Sequence, residues 1–170
     1  MNIQTTPEPA VSASQFKEAM SRVTGAVHIV TTDGPAGKAG FTATAVCSVT
    51  ADPPTLLVCV NEGSSVGQAF VANQALVINT IGSEFNDLAM LMGGKTPLEE
   101  RFAAANWTDS SLGAPMLDGA LVCFDGVTVD SQVLGTHRVL YVRVLDVKLG
   151  PDAQDPSLYL GRSFRKLAPV

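Results

Sequence analysis

The chain is short of histidine, cysteine, basic residues and long apolar runs, and each shortage removes a class of function. Two histidines, His28 and His137, and three cysteines, Cys47, Cys59 and Cys123, lie scattered, with no C-x-x-C among them. No metal-ligand spacing results, so no metal centre is expected. The odd cysteine number argues against a disulfide framework and for a reducing cytoplasm. Only 11 Lys and Arg stand against 16 Asp and Glu, a net charge of −5, and the basic residues form no cluster. Nucleic acid is therefore not expected as a partner, because binding it needs basic patches. No apolar run is long enough to span a membrane. Met1 to Ala10 has neither a basic start nor an apolar stretch, so it does not read as a secretory signal.

What is present suits one folded domain. The 170 residues are 46% hydrophobic and 16% charged, enough to bury a core without staples. Residues 1–11, with Pro7 and Pro9, read as a disordered lead, and 12–170 as the domain. Ser12-x-x-Gln15 predicts a capping box, and Phe16, Ala19, Met20 and Val23 share one face of a helix over Ser14–Val23, stopped by Gly25. Strands are expected over Ala26–Thr32, then after the turn Asp33–Gly37 over Ala39–Val49, and after Asp52-Pro53-Pro54 over Thr55–Asn61. Next come a loop, a short helix over Val66–Asn73, a strand over Ala75–Ile81, and a helix over Glu84–Met92 capped by Ser83 and stopped at Gly93-Gly94. Thr96–Asn106 reads as a loop with one helical turn around Glu99. Long strands follow over Ala120–Asp130 and Thr136–Leu149, and a short one over Ser157–Leu160. Many strands with short turns and few helices predict a mainly β (α+β) barrel or sandwich with peripheral helices.

Three motifs carry chemistry. Gly93-Gly94-Lys95-Thr96 resembles the tail of a phosphate loop, but Ala89 stands where the pattern needs its first glycine. Gly63-Ser64-Ser65-Val66-Gly67 matches the G-x-S-x-G elbow of serine hydrolases, and His137 follows several aspartates in the right order. A hydrolase using Ser65 and His137 is thus a rival reading, although alternating βαβ units are missing. Thr42, Thr44 and Ser48, set among Ala43, Ala45 and Cys47, form a stretch of small residues. Such a strand face serves equally as a wet surface or as a wall for a flat ligand. His137 opens a long strand, where a lone histidine is either structural or functional. His28, mid-strand among apolar neighbours, reads as packing or hydrogen bonding only.

Taken in order, Phe16–Met20, Gly40–Val49, Asp52-Pro53-Pro54, Leu57–Asn61, Glu99-Glu100-Arg101-Phe102 and Gly135-Thr136-His137 resemble the short-chain flavin reductase family. These are the NAD(P)H:flavin oxidoreductases of two-component monooxygenases, and the resemblance spans about residues 14–167. It implies an FMN-binding split β-barrel that forms a homodimer, with flavin near the subunit interface. It implies FAD or FMN, and NADH or NADPH, with hydride passing from nicotinamide C4 to flavin N5. The partner it implies is an oxygenase receiving reduced flavin, in aromatic-compound or pyrimidine degradation. A non-catalytic flavin- or haem-binding split barrel is the remaining alternative.

The resemblance also implies a site. Thr42, Ala43, Thr44, Ala45, Cys47, Ser48 and Val49 would line the isoalloxazine ring. Asn61, Ser64 and Ser65 would hold the ribityl phosphate region. His137, Tyr159 and Arg162 would meet the nicotinamide nucleotide. Two departures from the family pattern stand out. The loop Asn61–Gly67 has no Lys or Arg, which leaves phosphate charge to N–H groups, a helix start at Val66 or a remote cation such as Lys95. Phe164 is followed by Arg165 where many relatives have histidine.

Overall fold

The structure, a computed structural model, describes residues 11–152 and 155–167. The lead expected over residues 1–11 lies outside them, apart from Val11. Along the chain run α1 (Ala13–Met20), β1 (Gly25–Ala26), β2 (His28–Thr32), β3 (Ala39–Ala43), β4 (Val46–Ala51), β5 (Pro54–Asn61), α2 (Gly67–Ala72) and β6 (Ala75–Thr80). A tight turn of helix, Ser83–Phe85, leads into α3 (Asn86–Met92) and then α4 (Leu98–Ala103), β7 (Trp107–Asp109) and β8 (Pro115–Leu117). The chain ends in β9 (Val122–Leu134), β10 (His137–Leu149), β11 (Leu158–Leu160) and β12 (Ser163–Arg165).

Seven strands form one antiparallel sheet in the order β3-β2-β6-β9-β10-β5-β4. β3 and β4 are its two edges, yet only Thr44 and Ala45 separate them in the chain. The sheet curls into a barrel that stays unzipped between those edges, a split β-barrel with the helices outside it. The single strand expected over Ala39–Val49 is thereby corrected. Its halves have different partners: Ala43 lies opposite His28 on β2, and Val46 opposite Val58 on β5.

Strand alternation builds two cores. Val30, Val58, Leu76, Ile78, Leu140 and Val142 point into the barrel, where Phe70 of α2 plugs one end. Their neighbours Ile29 and Val77 point outward, under Leu88, Ala89 and Met92 of α3 and Leu117 of β8. β2 is buried along its whole length and β6 nearly so, so neither shows the in-and-out burial of a half-buried strand. Asn79 joins the layers: its amide donates to Ile29 O at 2.9 Å and accepts from Leu117 N at 2.8 Å.

One helix start departs from expectation. Ser83 caps nothing; Gly82 precedes the tight turn, and no side chain caps it or α3. The helical turn expected around Glu99 is present as α4, started by Pro97 and by Glu99 and Glu100 in its first turn. The expected capping box is present: Gln15 N donates to Ser12 Oγ at 3.2 Å, and Ser12 N to Gln15 Oε1 at 3.0 Å. α1 buries none of its residues within the chain, and Phe16, Met20 and the following Val23 stay exposed.

His28 is buried, and its Nδ1 lies 3.0 Å from Thr80 Oγ1. Burial pushes its pKa down from 6.5 to about 4. The folded chain thus keeps a neutral ring while the unfolded chain takes up a proton near pH 6.5. This stability is complete above pH 6.5 and falls away as the pH drops towards 4. The loss amounts to about 3 kcal/mol. Urea midpoints measured from pH 7.5 to 4 should therefore fall less steeply in His28→Gln than in the unaltered chain. Equal slopes would show that His28 is not responsible.

Candidate functional site

Beside the Thr44–Ala45 break lies a cleft of about 360 Å³. One wall is Thr42, Ala43 and Thr44. The opposite wall is the end of α3, Ala89 and Met90 with Gly93 and Gly94. Tyr159 and Phe164 close a third side. The first two walls are stitched together by Thr42 Oγ1, which donates to Ala89 O at 2.5 Å. Tyr159 and Phe164 meet edge to face with ring centres 5.5 Å apart. Their hairpin, β11–β12, joins the barrel through β1, where Tyr159 lies opposite Gly25.

Arg101 holds the glycine wall in place. It is only 5% exposed, and its guanidinium donates to Thr96 O at 2.6 Å, Gly94 O at 2.8 Å and Met92 O at 3.1 Å. These carbonyls lie at and just beyond the C-terminal end of α3, where a cation is favoured by the helix dipole. Lys95, the expected remote cation, stands on this clamped turn next to Gly94 and is exposed. The sequence pattern includes Arg101 in the family resemblance but assigns it no role; its clamp is visible only in the fold.

A second group lies at the loop that leaves β5. His137 on β10 is directly opposite Asn61 in the sheet. Asn61 Oδ1 accepts from Gly63 N at 2.9 Å, and Ser64 Oγ donates to Asn61 O at 2.8 Å. Ser65 is exposed. This group lies near the break: Cys59 N, two residues before Asn61, donates to Ala45 O at 3.1 Å. The loop's one acid, Glu62, is neutralised by Arg138 Nε at 2.5 Å. Arg138 therefore puts a cation beside a loop that has none of its own.

Not every expected residue joins these groups. Ser48 and Val49 line a separate groove with Leu56, Phe124 and Val147. Cys47 is exposed on edge strand β4. Arg162 sits at the tip of the β11–β12 hairpin and binds Glu18 of α1 at 2.8 Å.

The geometry does not favour nucleophilic catalysis at Ser65. Among the described residues no hydrogen bond links Ser65 to His137. The Nδ1 of His137 lies 2.9 Å from Thr136 Oγ1, with no carboxylate to orient the ring. β5, the strand before the loop, is antiparallel to both of its neighbours, unlike the parallel sheet of a hydrolase elbow.

The split barrel and the cleft beside its parted edges place the chain in a known class of fold, and comparison with known proteins gives the family. Residues 20–168 match the flavin reductase like domain, and the chain belongs to that family. It is 49% identical over 158 residues to FMN reductase (NADH) RutF of Stutzerimonas stutzeri (strain A1501), covering 93% of this chain and 90% of that one. It is 47% identical over 161 residues to FMN reductase (NADH) RutF of Pseudomonas syringae pv. syringae (strain B728a), covering 95% and 90%. A crystal structure from Haemophilus somnus 129PT superposes with a TM-score of 0.89 at 41% identity, covering 92% of this chain and all of that one.

Proposed function

We propose that this chain, acting as one folded unit from residue 12, uses NADH to reduce free flavin and passes it to an oxygenase in the cytoplasm. The description of its relatives as FMN reductases (NADH) supports FMN as acceptor and NADH as donor. One observation carries the reading. Thr42, Ala43 and Thr44 give the cleft a wall of backbone and small side chains, Ala45 follows just beyond it, and neither Thr44 N–H nor Ala45 N–H donates to another group among the described residues. A planar ring needs a wall without bulk, and charge growing on its N1–O2 edge needs donors already in position.

Bound flavin supplies N5, the acceptor for the C4 hydride of NADH. The chain itself binds, orients and excludes water. Thr42, Ala43, Thr44 and Ala45 support one face and edge of the ring. Tyr159 and Phe164 confine the space above, so that two rings can stack at about 3–3.5 Å. Asn61, Ser64 and Ser65 hold the phosphate end, with Arg138 as the nearby cation and Lys95 as the remote one. His137 positions the nicotinamide nucleotide from across the sheet. No nucleophile is needed, which leaves Ser65 as a phosphate ligand.

Exposed apolar residues support pairing of two copies. Val49 on β4, Val129, Val133 and Leu134 on β9, and Val147 and Leu149 on β10 all lie open in the single chain. Surfaces of this kind mark protein interfaces. A partner there would cover the groove that Ser48 and Val49 line, which brings those two residues into a shared site.

Purified protein should oxidise NADH only when FMN is added; a background rate with both FMN and FAD present would overturn the reductase reading, and flavin binding without turnover would leave a binding protein. His137→Ala should lower kcat/KM for NADH roughly tenfold, about 1.4 kcal/mol of transition-state stabilisation, without reshaping the pH profile. A lower melting temperature with unchanged kinetics would remove His137 from the site. Sedimentation at micromolar concentration should show twice the chain mass, and an active monomer would contradict the shared site.

A further inference from the structure

The glycine wall of the cleft has no side chains of its own to hold it. Gly93 and Gly94 line the cleft with backbone, and two adjacent glycines give a turn more conformational freedom than other residues would. Little room is left for a side chain there. A Cβ on Gly93 would lie 3.4 Å from Ala89 O and 3.6 Å from Thr42 Cβ, along the line where the two walls meet. Ties from other elements take the place of the missing side chains. Thr42 Oγ1 of β3 donates to Ala89 O at 2.5 Å. Arg101 of α4 adds the second tie, with Nη1 on Met92 O, Nη2 on Gly94 O and Nε on Thr96 O.

Arg101 is costly where it stands. It is buried, and no carboxylate pairs with it among the described residues. A buried guanidinium without an acid costs more than an apolar side chain of similar size, so packing alone does not account for it. Its shape does, because the planar fork reaches three alternate carbonyls of one turn and an ammonium cannot. The base of the clamp is itself held. Phe102, the next residue, meets Trp107 with ring centres 5.1 Å apart, and Trp107 Nε1 donates to Phe102 O at 2.9 Å. On β3, Gly40 leaves room for both helices: a Cβ there would strike Met92 Cε and lie 3.2 Å from Phe102 Cζ. Strand wall, glycine wall and clamp thus form one packed unit, while Arg101 stays outside the lining of the cleft.

We propose that Arg101 is a positioning residue for hydride transfer, acting through the Gly93–Thr96 turn, with the Thr42 hydroxyl as the second tie on the same wall. The proposal rests on the NADH reductase reading and deepens it. Transfer needs C4 and N5 at about 3–3.5 Å, and a wall that drifts by about 1 Å loses that approach sooner than it loses binding. The Thr42 hydroxyl is committed to Ala89 O, so it sets the width of the cleft and does not donate to the ring.

The test uses the full chain with Arg101→Lys, Thr42→Val, Thr42→Ser and the double variant Arg101→Lys/Thr42→Val. Measured are kcat and KM with NADH and FMN, the primary isotope effect on kcat with NADH deuterated at the transferred C4 position, and hydrogen exchange of the Gly93–Thr96 segment. Arg101→Lys keeps the charge and loses the fork. It should lower kcat roughly tenfold, raise the isotope effect and speed exchange in the turn, while KM for FMN moves by less than about threefold. Thr42→Val should lower kcat roughly threefold, and Thr42→Ser, which keeps the hydroxyl, should restore most of that loss. Because both ties hold one wall, the double variant should lose less than the product of the single losses. A lower melting temperature with unchanged kcat and isotope effect would make Arg101 purely structural and overturn the proposal. A raised KM for FMN with unchanged kcat and isotope effect would show binding without positioning and overturn it as well. Fully multiplicative losses in the double variant would overturn the shared wall. If Arg101→Lys does not fold, the two Thr42 variants and their isotope effects decide the question. If the unaltered chain does not oxidise NADH with FMN, the reductase reading fails and the positioning role with it, while the exchange rates still show whether Arg101 holds the turn.

Discussion

A two-residue link joins the opposite edges of the sheet, and most of the structure follows from it. Laid flat, seven strands spaced about 4.8 Å apart would hold β3 and β4 about 29 Å from each other. The chain from Ala43 to Val46 reaches about 10 Å at full stretch. The sheet must therefore bend through nearly a full circle, and it has an inside and an outside. Val30, Ile78 and Leu140 fill the inside, while Ile29 and Val77 on the same strands support α3 outside. The right-handed twist of antiparallel strands makes such curling easy.

The link also explains the position of the site. Within a strand each backbone polar group pairs with a neighbour. At Thr44 and Ala45 the chain is passing from one partner strand to another, and among the described residues their N–H groups donate to no other group. The small side chains there let a flat molecule approach the backbone. The facing wall has a different origin. It is the end of α3, and a buried arginine keeps its turn folded by gathering three carbonyls. A guanidinium can be buried here because carbonyl dipoles at a helix C-terminus replace much of its lost hydration.

The electrostatics of the proposed site are local. A net charge of −5 repels an anionic dinucleotide in general, so binding depends on single cations placed at intervals. Arg138 and Lys95 are of this kind. Arg138 is partly neutralised by Glu62. Such a site favours modest affinity, which suits a protein whose reduced product has to leave.

Much of the fold was readable from local pattern. The strand-forming runs His28–Thr32 and Ala75–Thr80, the Ser12–Gln15 capping box and the stop at Gly93 are all short-range effects, set by residues within a turn or two of one another. The chemical types of the proposed site residues were readable too, as a run of small hydroxylated residues, a serine-rich loop and an isolated histidine. The short elements were not. Trp107–Asp109 and Pro115–Leu117 have three residues each, too few to show a period, and they exist because they pair with each other. Nothing in Thr44-Ala45 signals a turn; the strand breaks there because Ala43 and Val46 are claimed by strands on different sides of the barrel. The pairing of Glu18 with Arg162, 144 residues away, and the clamp of Arg101 on the glycine turn depend likewise on where the folded backbone carries them. The sequence by itself determined which segments could be strands and which residue types the proposed site offers. Only the tertiary structure decided which of them share a cleft, because closing the barrel brings together groups that no local interaction connects.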